Sequence, residues 1–174
     1  MSNNIIEALK HRRSIRKYKS DPVSAELLAQ IVEAGEYAAS GKGQQEVITL
    51  TITNKKLRDE LSHDNRLIGG WQEGFDPFYG APAVIVVLAN KERPTYVYDG
   101  SLVMGNLMQA ADALGLGSCW IHRAKEEFEM DKYKKLLKDL GIEGDYEGIG
   151  HCIIGYPDQE VKAAPRKKRN YVIQ

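Results

Sequence analysis

Seven consecutive apolar residues, Ala83 to Ala89, constrain this chain more than any other feature. A run so short, uninterrupted and rich in Val and Ile reads as a strand buried on both faces. Such a strand needs a cover on each side. One cover is legible after Asp99, which is expected to cap a helix: Leu102, Val103, Met104, Leu107, Met108, Ala110, Ala111 and Leu114 wrap most of its circumference. At this length a chain removes roughly 70% of its unfolded surface from water, so neither disulfides nor metal are needed for folding.

The remaining elements alternate around these two. Asn3 or Asn4 can cap a first helix carrying Ile5, Ile6 and Leu9, and Arg13 to Tyr18 reads as extended. Ser24 is a candidate N-cap for a helix through Leu27, Leu28, Ile31 and Val32 that ends at Gly35 or slightly beyond, before a Gly41-Lys42-Gly43 loop. Val47 to Thr53 is a strand by its β-branched alternation, Lys55 to Leu61 a short helix, and Asn65 to Gly80 a long aromatic loop of the kind that often lines a site. Leu116 to Ile121 reads as a short strand or turn, Met130 to Leu140 as a surface helix and Gly148 to Tyr156 as an apolar strand. No repeat or linker interrupts residues 1–174, so a single three-layer α/β or α+β domain is expected.

The formal net charge is zero, but the charges are unevenly placed. Six Lys/Arg and no acid lie between Lys10 and Lys19, and five more, again without an acid, lie between Lys162 and Arg169. The other 13 basic residues face all 24 acidic ones. Either the two clusters are solvated patches, or the fold brings both ends of the chain to one anion. A nucleic-acid partner is disfavoured, because such a domain is expected to be net basic. Two cysteines and the absence of a long apolar run point to a soluble, cytoplasmic protein with no membrane segment.

Several common chemistries lack their residues. None of the three Gly-x-Gly pairs has the third glycine of a dinucleotide fingerprint, and Gly35 to Gly43 has the wrong spacing for a P-loop. Cys119, His122, His151 and Cys152 could supply zinc ligands by type, but neighbours on a strand point to opposite faces. By contrast, Arg12-Arg13-Ser14-Ile15-Arg16 offers guanidinium groups and a hydroxyl suited to a phosphate, with no adjacent carboxylate.

That segment, Ala39-Ser40-Gly41 with Gln45, Asp99 opening the helix that ends Ala113-Leu-Gly-Leu-Gly-Ser-Cys-Trp-Ile121, Ile154-Gly-Tyr-Pro157 and Pro165-Arg-Lys-Lys168 occur in an order that resembles the FMN-dependent nitroreductase family. The resemblance spans nearly the whole chain and implies an α+β, three-layer nitroreductase-like fold with a mixed, mainly antiparallel sheet flanked by helices. It implies that Arg12, Arg13 and Ser14 contact the FMN phosphate and ribityl chain, that Arg16 reaches toward the flavin ring, and that Arg166 and Lys168 close on the same phosphate. Ala39, Ser40, Gly41 and Gln45 match a loop given by the opposite subunit, and Trp120, Ile121, His122 and Arg123 match a stretch whose main-chain N–H meets the flavin.

The activity implied is NAD(P)H-dependent, ping-pong reduction of nitroaromatics, quinones or related acceptors by a homodimer with FMN at the subunit interface. No side-chain acid or base and no metal are required. Alternatives are a dedicated flavin reductase or oxidase for one metabolite and a nucleic-acid-binding regulator. The chain departs from the family loop at Ala39, Gly43 and Glu46-Val47, and His122-Arg123 stands where small or acidic residues are commoner.

Overall fold

The computed structural model describes residues 4–173. Helices α1 (Asn4–His11) and α2 (Ala25–Glu36) lead to strand β1 (Val47–Ile52), followed by α3 (Lys55–Gly69), β2 (Ala83–Asn90) and α4 (Tyr96–Ala113). Strand β3 (Gly117–Ile121), two short helices, α5 (Ala124–Phe128) and α6 (Asp131–Asp139), and β4 (Tyr146–Gly155) complete the order.

The strands form one sheet in the order β1-β2-β4-β3, with every neighbouring pair antiparallel. An isolated parallel bridge, Ser14 to Ser118, adds the extended N-terminal segment to the outer edge of β3. As the apolar run implies, β2 is central and buried on both faces. Ile85, Val87 and Ala89 pack with Leu28 and Ile31 of α2 and Met104 and Leu107 of α4. Val84, Val86 and Leu88 pack instead with Leu61 of α3, Phe128 of α5 and Tyr133 of α6. Alternation along one strand thus builds two apolar layers, the three-layer α+β arrangement expected. Cys152 belongs to the first layer and Cys119 to the second, so the sheet separates them.

Three expectations need correction. The helix opening at Lys55 runs to Gly69 rather than Leu61; Asn54 caps it by accepting the Leu57 N–H at 3.0 Å, and Gly70, at φ +66°, ends it. Its second half was invisible to apolar periodicity because the residues it buries there, Ser62, Asp64 and Asn65, are polar. Asp99 lies inside the first turn of α4, whose N-cap is Thr95, and its carboxylate turns toward another loop. Helix α5 has no counterpart in the sequence reading, since five residues are too few to display a period. The expected cap at Ser24 is present, accepting the Leu27 N–H at 3.3 Å. An Asn3 cap lies outside the described residues.

Candidate functional site

The candidate site grows from the open edge of β3. Ile15 donates its N–H to the Ser118 carbonyl at 2.9 Å, and Gly117 permits the approach, since a Cβ there would meet the Ile15 side chain at 2.9 Å. Further along, Lys19 donates to the Tyr156 carbonyl and Asp158 to the Lys17 carbonyl, both at 2.9 Å, and Lys17 pairs with Asp158. These contacts carry the N-terminal basic cluster to the start of the C-terminal one.

Between them lies a cavity of about 380 Å³, with Arg13 and Lys162 in its lining beside His11, Gly115, Gly117 and Pro157. Asp112 and Glu160 also line it, the former within 3.0 Å of the His11 ring. Arg13 Nη1 donates to the carbonyls of Lys10, His11 and Arg12 at 2.7, 2.9 and 2.7 Å, placing its charge at the C-terminal end of α1. Its Nε, and Nη1 of Arg12, are buried without a hydrogen-bond partner. Buried guanidinium donors left unpaired are costly, and an anion with several acceptor oxygens is the group that would satisfy them. This donor set fits a phosphate such as that of FMN. Arg16 is exposed at the same edge. Arg166 and Lys168 are not brought to the cluster: both lie in an exposed, irregular segment, with Lys168 over the Tyr171 ring at 5.2 Å.

Past Ser118, the strand leads into a groove of about 420 Å³ that includes Trp120, His122 and Arg123, with Val97 and Ser101 of α4 opposite. Trp120 lies over Gly150, where a Cβ would come within 2.1 Å of the indole nitrogen, and that nitrogen is buried without a partner. Arg123 adopts a left-handed φ of +80°, and its guanidinium pairs with Glu126 at 2.8 Å. The other expected residues form a separate group. Ala39, Ser40 and Gln45 line a second cavity of about 260 Å³ with Asp99 and Val103, and Ser40 Oγ accepts the Gln45 N–H at 3.1 Å. Among the described residues no hydrogen bond or ion pair joins this loop to residues 12–16 or 120–123 of the same chain.

One participant was missed by the sequence reading. Asn65, assigned there to a loop, sits on α3 with its Nδ2 donating to the His122 carbonyl at 2.6 Å. A lone Asn in a stretch without period gives no signal. The aromatic residues of the loop that follows pack on one another, Trp71 on Phe75 at 5.5 Å and Phe75 on Tyr79 at 5.8 Å between ring centroids.

Comparison with known proteins agrees with this geometry. An FMN-bound nitroreductase from Bacteroides fragilis superposes with a TM-score of 0.88 over 99% of both chains at 25% identity. An FMN-dependent nitroreductase from Clostridium difficile is 34% identical, with a TM-score of 0.74 over 92% of this chain and 91% of that one. The FMN reductase [NAD(P)H] of Bacillus subtilis is 26% identical over 193 residues, spanning 94% of this chain and 70% of the relative. The sequence model of the Nitroreductase family matches residues 9–156, and the chain therefore belongs to the nitroreductase family.

Proposed function

We propose that this protein is an NAD(P)H-dependent FMN oxidoreductase, that residues 1–174 act as one domain, and that two copies hold FMN between them. The observation that carries this reading is the pair of buried, unpartnered donors on adjacent residues, Arg12 Nη1 and Arg13 Nε, with Arg13 lining the cavity that Lys162 of the second basic cluster also lines. When bound, FMN supplies hydride chemistry, taking two electrons from NAD(P)H and passing them to an acceptor.

The chain's own residues bind and orient. Arg12, Arg13 and Ser14 hold the phosphate end and Arg16 meets the ring; Arg166 and Lys168, apart from that cluster in the single chain, close on the phosphate only in the FMN-bound pair of copies. The backbone of Trp120 to Arg123 supplies polar contacts along the open strand edge. A shared site is supported by the separation of Ala39, Ser40, Gly41 and Gln45 from the rest within one chain. It is supported also by α1, which buries no residue and exposes Ile5, Ile6 and Leu9. Such an apolar stripe fits a second copy. Nitroaromatics, quinones or similar acceptors then react in a ping-pong cycle. No dedicated nucleotide domain is needed, because the nicotinamide stacks only transiently.

His122 and Arg123 line the groove beside this edge, so a dedicated acceptor would be selected there. Purified protein should be yellow with stoichiometric FMN. Steady-state assays with NADH and NADPH against nitro, quinone and flavin acceptors identify the substrate; colourless protein that takes up no added FMN overturns the reading.

A further inference from the structure

A second polar cluster lies behind residues 122–123, inside the layer built by α3, α5 and α6. Glu127 and His151 are both 0% exposed, with His151 Nε2 2.8 Å from Glu127 Oε2 and the His151 ring against Phe78 at 5.0 Å. The contact is close but off the angle of a good hydrogen bond. Burial pushes the Glu127 carboxyl up, and His151 and Asn65 beside it pull it back. Asp64 of α3 accepts the Tyr133 hydroxyl of α6 at 2.5 Å and pairs with Lys132. The Glu127–His151 pair itself lies among Val84, Val86, Phe128 and Ile153, where apolar side chains of similar volume would be as stable or more so.

Its contacts suggest what it is for. The Glu127 N–H donates to the Arg123 carbonyl at 3.0 Å, and Asn65 holds the His122 carbonyl at 2.6 Å. The His122–Arg123 peptide is thereby held at its carbonyl, and the next peptide, Arg123–Ala124, is held at its own. Arg123 has the left-handed backbone that a non-glycine residue keeps only when its surroundings over-determine it. Helix α5 rests directly on β4, since a Cβ on Gly148 would lie 2.2 Å from the Ala124 carbonyl oxygen.

We propose that Glu127 and His151 are positioning residues: tied to β4 by His151, Glu127 fixes α5 and with it the Arg123 carbonyl, so that the adjoining His122–Arg123 peptide, held at its own carbonyl by Asn65, keeps its main-chain donor aimed at the cofactor. This inference rests on the FMN reading above. Neither side chain touches the cofactor; each acts through the peptide.

The test uses the full-length holoprotein with Glu127→Leu, Glu127→Gln, His151→Phe and, as a control in the same cluster, Tyr133→Phe. Glu127→Leu and His151→Phe should each raise the FMN Kd about tenfold, as expected for one lost or misaligned hydrogen bond. They should also shift the flavin midpoint potential and speed amide exchange at Arg123. Glu127→Gln, which keeps the size of the side chain and a polar atom beside His151, should recover part of each effect. Tyr133→Phe should lower stability while leaving Kd, potential and Arg123 exchange unchanged. Wild-type values of all three in Glu127→Leu and His151→Phe overturn the proposal, as do equal changes in Tyr133→Phe. If the wild type binds no FMN, the functional reading fails instead, and Arg123 exchange alone decides the positioning role.

Discussion

The Gly41 N–H lies 3.1 Å from both carboxylate oxygens of Asp99, joining the 39–45 loop to the first turn of the central helix across 58 residues of sequence. Thr95 Oγ1 donates to the same carboxylate at 2.9 Å, and a Cβ on Gly41 would come within 2.4 Å of that hydroxyl. The negative charge is also favoured at a helix N-terminus. Asp99→Ala leaves the Gly41 donor unpaired and should cost about 1–3 kcal/mol. Denaturation and amide exchange across residues 39–45 check this; unaltered loop protection would contradict the tether.

Arg12→Ala should weaken FMN binding by about tenfold or more, since one charge-assisted contact to phosphate is worth roughly 1.5–3 kcal/mol. Arg166→Ala tests whether the C-terminal cluster joins it, because that segment is exposed and apart in the isolated chain. Unchanged flavin affinity in both variants, measured by fluorescence titration, would sink the phosphate assignment.

Leu9 is 57% exposed on a helix with no buried residue, so Leu9→Asp places a charge on the surface offered to a second copy. The variant should dissociate at higher protein concentration than the wild type and lose FMN in parallel, because a ligand held by both subunits stabilises the assembled state. Sedimentation at several concentrations reads both. A wild-type monomer that retains all its flavin would be incompatible with shared sites.

Arg123 combines a left-handed backbone, worth roughly 1–2 kcal/mol of strain, with a half-exposed ion pair to Glu126 worth under about 1 kcal/mol. Arg123→Ala loses the pair and keeps the strain, whereas Arg123→Gly loses both. The glycine variant should therefore be the more stable, by about 1 kcal/mol, while retaining the main-chain N–H. With Glu126 already neutralising the guanidinium, the flavin potential should change little in either variant. A marked negative shift in spectroelectrochemistry would mean that Arg123 leaves Glu126 for the cofactor.

Asp76 governs an acid-sensitive clamp on the aromatic loop. Burial alone would raise its carboxyl, but bonds from Ser62, Arg58 and the Gly80 N–H outweigh that and hold it below the usual range. A depressed folded value means the stabilisation is fully present above the unfolded value of about 4 and is lost as pH falls through the folded one. Asp76→Asn should be less stable than wild type at pH 7, and the gap should begin to narrow as pH falls below about 4. A gap that does not narrow on acidification would assign the loss to something other than ionisation.

Local order in the sequence determined most of the architecture. The unbroken run Ala83 to Ala89 could only be a strand with two covers, and the apolar residues of 102–114 mark the helix that covers one of its faces through Val103, Met104, Leu107 and Ala111, with Leu102 left exposed. Arg12, Arg13 and Ser14 stand out as candidates for an anion site because their basic segment holds no acid, and Trp120 to Arg123 as candidates through their ordered company with other motifs. Tertiary structure alone decided what depends on partners distant in the chain. Asn65 reaches His122 over 57 residues, and Asp99 binds Gly41 across 58 residues as well as Thr95 at its own helix end. His151, on a strand that reads as apolar, takes Glu127 as its buried counterpart on a helix too short to announce itself. Periodicity records which face of an element avoids water; it carries no record of which polar group on another element will satisfy a buried one.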